Sequence, residues 1–341
     1  MTPPARLDRN ELPFPPDAVL LGPWEELLRQ VNRYPSGAWQ ARLTELVAEC
    51  NGCRPVDVVL GAGSSRVLDL IWRAAVAQGA KVAYAAPGFE MYPIYTRQQR
   101  GVAVEVPLTA ELGTDFTRLA EIAVAERPAL IAVINPHSPS GRRAGPGELA
   151  EFVARVPEEV VVVIDEAYRE FDENADPRSS AELATSRPNV VVTRTFSKAY
   201  GLAGLRIGYA IAGPRLVAEL NACSMPFTVS DLACAAAIET LRDTGQHEAR
   251  MTALRAERAW LTAGLRTCGL TVVDSAANFV LVPGEPGFAE HLREGGLTVS
   301  TSAVGTRITV GTRDDSVAVL EAAREYRRPN EPAVAADLFT G

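Results

Sequence analysis

Apolar residues in this chain gather into short β-branched runs, separated by longer stretches in which they return every three or four positions. The runs Val82–Ala85, Val102–Val106, Leu130–Ile134, Val160–Ile164, Val190–Thr193 and Ile207–Ala212 are strand candidates, and the continuously β-branched Val160–Ile164 predicts a strand buried in a parallel sheet. Helical periods lie between them, as at Ser65–Gln78 and Pro146–Arg155, so the order is that of βαβ units around a mainly parallel sheet. Beyond Pro214 the pattern changes. Two helical stretches, Asp231–Leu241 and Gln246–Cys268, precede a second set of strands at Leu270–Val273, Phe279–Val282, Leu297–Ser300 and Arg307–Val310 and a closing helix near Ser316–Tyr326. A chain of 341 residues with this break is expected to hold two folding units.

Composition narrows the function. The net charge is −8 and no long basic stretch is present, which argues against a nucleic-acid surface. The start lacks a signal-peptide pattern and no run approaches 18 apolar residues, so the expectation is a soluble, cytoplasmic protein without a membrane partner. The five cysteines are odd in number and scattered, and Cys50 and Cys53 read as ordinary thiols at a helix end, with no metal site expected. His247 and His291 read as solvated; His137, in the loop Asn135–Gly141, is the one histidine near candidate chemistry.

Only two of the 34 basic residues are lysines, Lys81 and Lys198. Lys198 lies between the hydroxyls of Thr195 and Ser197 and the guanidinium of Arg206, with Gly201 and Gly204 expected to let the backbone fold closely. That is an amine inside a phosphate clamp. Upstream, the strand Val160–Ile164 ends at the carboxylate of Asp165, where an open parallel sheet presents its ligands. Pyridoxal 5'-phosphate needs a lysine for its aldehyde, hydroxyls and an arginine for its phosphate, and an aspartate for its ring nitrogen, and all are present. The alternative is a surface lysine in a polar loop. Gly61-Ala-Gly-Ser64-Ser65 links a strand to a helix, so it reads either as a second phosphate loop or as a plain helix start.

The segment Arg194 to Tyr209, RTFSKAYGLAGLRIGY, closely resembles the cofactor-lysine segment of the histidinol-phosphate and aromatic aminotransferases, and the likeness runs along nearly the whole chain. Asn32-Arg-Tyr34-Pro, Gly61–Ser65, Asp165-Glu-Ala-Tyr168, Asn278-Phe-Val-Leu-Val and Arg307-Ile-Thr-Val-Gly-Thr resemble that family's other motifs in order. The resemblance implies a fold-type I α/β enzyme, in which a large domain holds a mainly parallel seven-stranded sheet between helices and a smaller α+β domain follows. It implies an arm over 1–30 joining the small domain, a large cofactor domain over 31–245, a small domain over 246–330 and a flexible tail over 331–341.

The resemblance also assigns roles. Lys198 is the Schiff-base lysine, Asp165 the partner of the ring nitrogen, Tyr168 the partner of the phenolic oxygen and Phe89 the plate on the ring face. Ser64, Ser65, Thr195, Ser197 and Arg206 hold the phosphate, Ser138 stands near the phenolic oxygen, and Arg307, Tyr92 and Leu12 face the substrate. Tyr34 is implied to reach the neighbouring active site of a homodimer, on both cofactor and substrate. The activity implied is transfer of an amino group from an amino acid or amino alcohol to an oxo acid such as 2-oxoglutarate; a decarboxylase, cyclase or oxidase on the same fold is the alternative. Three departures bear on the substrate. Ser138 replaces the usual asparagine, Ser300 stands where histidinol-phosphate enzymes commonly carry an arginine, and Leu12 replaces an aromatic residue. They shift the expectation from histidinol phosphate toward an aromatic or specialised amino acid.

Overall fold

A computed structural model of the protein describes residues 5–20, 22, 24–145, 147–176 and 178–327. The tail expected over 331–341 and the expected helix start at Pro146 lie outside the described residues. The strands are β1 (Ala5–Leu7), β2 (Val58–Gly61), β3 (Lys81–Ala86), β4 (Val102–Pro107), β5 (Leu130–Ile134), β6 (Val161–Asp165), β7 (Val190–Thr195), β8 (Gly208–Ala212), β9 (Phe279–Val282), β10 (Leu297–Ser302) and β11 (Gly305–Thr309).

Seven of them form one sheet in the order β2-β8-β7-β6-β5-β3-β4. β8 runs against both of its neighbours and the remaining pairs are parallel. The side chains of β5 show why the apolar pattern had no period of two: Leu130, Ala132 and Ile134 pack into one core with Trp72 and Leu216, while Ile131 and Val133 pack into another with Phe116 and Phe152. Helices cover both faces, so neither parity meets water. The sheet's geometry also fixes where chemistry can occur. The carboxyl ends of β2, β3, β5, β6 and β7 and the start of the reversed β8 share one edge, and the loops leaving that edge carry the candidate residues. Lys81 opens β3 at the opposite edge, where its amine pairs with Glu126 at 3.0 Å.

The second sheet has the order β1-β10-β11-β9, with β1 parallel to β10 and the other pairs antiparallel. The 24-residue helix Thr244–Thr267 spans both regions. Its Met251 and Leu254 pack with Tyr168 and Phe279, and its Leu261 and Leu265 join the core under the second sheet with Val280, Phe288 and Leu320. No helix among the described residues is long and apolar enough to cross a membrane.

Two expectations change at this level, and one strand appears that the pattern did not predict. Leu270–Val273 is not a strand: Leu270 and Val272 bury their side chains, but only Val273 bridges to Leu281. β1 carries no alternating pattern in the sequence and exists because β10 offers it a free edge. The two histidines read as solvated are partly buried instead. His247 stacks on Tyr200 at 4.6 Å and Nε2 of His291 meets the Ala322 carbonyl at 2.9 Å.

Candidate active site

The loops at the shared sheet edge enclose a cavity lined by Ser64, Ser65, Phe89, Ser138, Asp165, Tyr168, Thr195, Ser197, Lys198 and Arg206. Ile134 and Ala167 complete the lining. These two are apolar and sit beside chemically marked residues, so no type-based signal pointed to them.

One end of the cavity is built for an anion. Gly63, at φ +81°, precedes the helix Ser64–Ala75, and a Cβ at this position would lie 2.4 Å from Nη2 of Arg206. The bare backbone thus lets the guanidinium lie against the helix N-terminus, beside Ser64 and Ser65. Arg206 donates to Ser197 Oγ at 3.4 Å and to the Ala203 carbonyl at 3.0 Å, and the Ser197 amide donates to Thr195 Oγ1 at 3.0 Å. Gly204, expected to permit close packing, has open space around its Cα; it is Gly201, at φ +68°, that packs tightly, against Pro16 and Leu12.

The other end carries the acid and the amine. Asp165 is buried at the end of β6, where it accepts from Thr193 Oγ1 at 3.1 Å and from the Tyr92 hydroxyl at 3.2 Å. Burial pushes its carboxyl up to about 6, against the pull of these two donors. Among the described residues it has no ion-pair partner, and the two hydroxyls are the side chains that donate to it. Burial likewise lowers the Lys198 amine from its ordinary value; Tyr168 opposes the shift and Arg307 adds to it. A lowered amine holds more of its neutral, nucleophilic form at neutral pH.

Three consecutive residues of the N-terminal arm bond to the side chains of the site. The carbonyl of Asp8 accepts from Arg307 Nη2 at 2.7 Å, that of Arg9 accepts from Lys198 Nζ at 2.6 Å, and Asn10 Nδ2 donates to the Tyr168 hydroxyl at 3.0 Å. Asn10 went unremarked in the sequence, where its neighbour Leu12 was singled out instead. Arg194 also went unmarked. Buried at the end of β7, it bonds Glu166 at 2.7 Å, Ser180 at 3.0 Å and Asn51, and so pins the ends of β6 and β7 beside Asp165 and Thr195.

Four expected residues lie outside the cavity lining. Tyr92 does not face a substrate: it is fully buried, stacked on Trp72 at 5.2 Å, and burial with the nearby Asp165 raises its phenol well above the usual value, so it stays a donor to that carboxylate. Leu12 packs on Gly201 and beside Tyr168, buttressing the Lys198 loop rather than lining the cavity. Arg307 lies just beyond the lining, donating to Ser138 Oγ at 3.1 Å with its guanidinium 5.4 Å from the Phe279 ring. Ser300 is its direct partner across β10 and β11. Tyr34 is 80% exposed and stacks on Phe227, itself 59% exposed. His137 is buried within the loop beneath the cavity, held by Ser140 at 3.0 Å and pushed down to about 4 by burial, hence neutral.

Comparison with known proteins agrees with this geometry. The family model for aminotransferase class I and II matches residues 5–322. The aromatic amino acid aminotransferase of Rhodococcus erythropolis is 41% identical over 86% of this chain and 82% of its own length. Histidinol-phosphate aminotransferase 2 of Methylococcus capsulatus is 36% identical over 91% of this chain and 86% of its own. The crystal structure of histidinol-phosphate aminotransferase from Sinorhizobium meliloti in complex with pyridoxal-5'-phosphate superposes with a TM-score of 0.89 at 27% identity, covering 95% of this chain and 90% of that one. With 318 of its residues inside the matched span, from 5 through 322, the chain belongs to the class I and II aminotransferases.

Proposed function

We propose that the protein is a pyridoxal-phosphate-dependent aminotransferase that takes the amino group of an aromatic amino acid and passes it to an oxo acid such as 2-oxoglutarate. The observation that carries this reading is the cavity itself, where a depressed lysine amine, a buried unpaired carboxylate and an anion cradle converge at one sheet edge. The donor set fits the cofactor. Arg206, Ser64, Ser65, Thr195 and Ser197 suit its phosphate, Asp165 its ring nitrogen, Phe89 its ring face and Tyr168 its phenolic oxygen. When bound, pyridoxal phosphate supplies a Schiff base and an electron sink for the substrate's Cα.

The chain's own groups do the rest. Lys198 would supply the nucleophilic amine and the base that takes the proton from Cα, and its depressed amine suits both tasks. Asp165 would keep a ring nitrogen protonated, and a cation there would relieve the burial cost of the carboxylate. Arg307 binds the substrate carboxylate in place of the Asp8 carbonyl, with Ser138 fixing one arm of its fork. Aromatic donors are favoured over histidinol phosphate because the residue across from Arg307 is Ser300, which offers a phosphate no charge.

The active unit in this reading is a cytoplasmic homodimer, with Tyr34 completing the neighbour's site. Support comes from the exposed stacked pair of Tyr34 and Phe227, with Val31 and Met225 also exposed nearby in sequence, an apolar surface of the kind that partners cover. The large domain would span 31–245 and the small domain 246–330, with the arm over 1–30 packed as part of the small domain. The test is 2-oxoglutarate-dependent oxo-acid formation across a panel of aromatic, aliphatic and phosphorylated amino donors. Turnover concentrated on the aromatic donors is expected, and a flat panel refutes the substrate. Lys198→Ala should lose the visible absorbance of covalently held cofactor; retention of that band refutes the site.

A further inference from the structure

Asn10 is 1% exposed, has φ +54°, and uses every polar group it owns. Its backbone amide donates to Thr309 Oγ1, and its carbonyl accepts from Asn278 Nδ2, both at 3.0 Å. Its side chain accepts at Oδ1 from Thr309 Oγ1 and donates from Nδ2 to the Tyr168 hydroxyl, again at 3.0 Å. The bonds give each group one consistent role. A backbone N–H can only donate, so the Thr309 oxygen accepts there, and its own hydrogen donates to Oδ1. With Oδ1 facing Thr309, the NH2 group faces Tyr168. The Tyr168 oxygen accepts that bond, which leaves its own hydrogen to point away from Asn10. Tyr168 lines the cavity, with its ring held edge-on to Phe279 at 5.1 Å, so that hydrogen is available to an acceptor bound there.

Ser138 is polarised the same way. Arg307 can only donate, so the Ser138 oxygen accepts at 3.1 Å and its hydrogen is free for the cavity.

We propose that Asn10 is a positioning residue that fixes the Tyr168 hydroxyl as a donor toward the cofactor's phenolic oxygen. It thereby supplies, through the N-terminal arm, part of the polarisation that an asparagine amide at position 138 would otherwise give. The inference rests on the proposed function, since it needs a cofactor oxygen in the cavity.

The test uses the full-length holoenzyme and Asn10→Leu, which keeps the branched shape and removes the amide, in the parent and in a Tyr168→Phe background. Two quantities are read: the dissociation constant for pyridoxal phosphate, and the pH midpoint of the bound cofactor's absorbance change. In the parent background Asn10→Leu should weaken cofactor binding about tenfold, the size of one hydrogen bond to a charged group, and should raise the midpoint. In the Tyr168→Phe background both effects should vanish, because no hydroxyl remains to be turned. Thr309→Val, which removes only the hydroxyl that orients the amide, should repeat the pattern at smaller amplitude and serves if Asn10→Leu does not fold. Equal effects in the two backgrounds, or none in either, would overturn the proposal. If the parent enzyme itself shows no cofactor absorbance, the proposed function fails instead, so the two failures are separable.

Discussion

Replacing Asp165 by Asn separates what the carboxylate costs the fold from what it gives the reaction. Asp165 is fully buried and its carboxyl is raised from 3.8 to about 6, so the folded cofactor-free protein holds this proton more tightly than the unfolded chain does. Stability therefore falls as pH rises through the window from about 4 to about 6 and stays at the lower level above it. A shift of about two units at 1.36 kcal/mol each is worth about 3 kcal/mol. Asparagine cannot ionise, keeps an oxygen for the Thr193 hydroxyl, and can donate to the Tyr92 oxygen. The cofactor-free Asp165→Asn protein should thus be about 3 kcal/mol more stable than the parent at pH 8, with the advantage shrinking toward pH 4. With cofactor the order of merit reverses, because the ring nitrogen loses its anionic partner and kcat should fall by at least about 10²-fold. Urea unfolding of both cofactor-free proteins at pH 5 and pH 8 measures the first effect. No gain at pH 8, or a gain of equal size at both pH values, would refute the account of Asp165 as a buried, unpaired anion.

Arg307→Lys replaces a fork by a point charge; kcat/KM for the amino donor should drop roughly 30-fold, about 2 kcal/mol, which steady-state kinetics will show. Gly63→Ala places a Cβ against Arg206 at a backbone angle that disfavours it, so cofactor affinity, read by absorbance titration, should weaken at least about tenfold. Tyr34→Ala and Lys198→Ala should each be inactive alone, yet a refolded equimolar mixture should regain about a quarter of parent activity, since half the dimers would be hybrids with one intact site. A mixture that stays inactive would remove Tyr34 from the neighbouring site.

The large sheet was legible because its central strands are buried on both faces, which writes an unbroken apolar run into the sequence, as in Val161–Ile164, whereas the edge strand β4 stays largely exposed. The cavity was legible because each contributing loop follows such a run and carries a chemically distinctive residue, Lys198 and Asp165 above all. What stayed hidden depends on contacts distant in sequence. β1 is a strand only because β10 lies open beside it, and Asn10 matters only because Tyr168, Asn278 and Thr309 converge on it from far along the chain. Tyr92 illustrates the converse. A tyrosine near the site was expected to face the substrate, but stacking on Trp72 holds its hydroxyl against Asp165 instead.

The scarcity of lysine has a practical side. The chain offers two side-chain amines, Lys198 inside the cavity and Lys81 at the sheet edge opposite to it. With the cavity occupied, an amine-reactive linker would meet Lys81 as its single lysine target, tethering the protein to a surface by its back with the catalytic mouth turned outward.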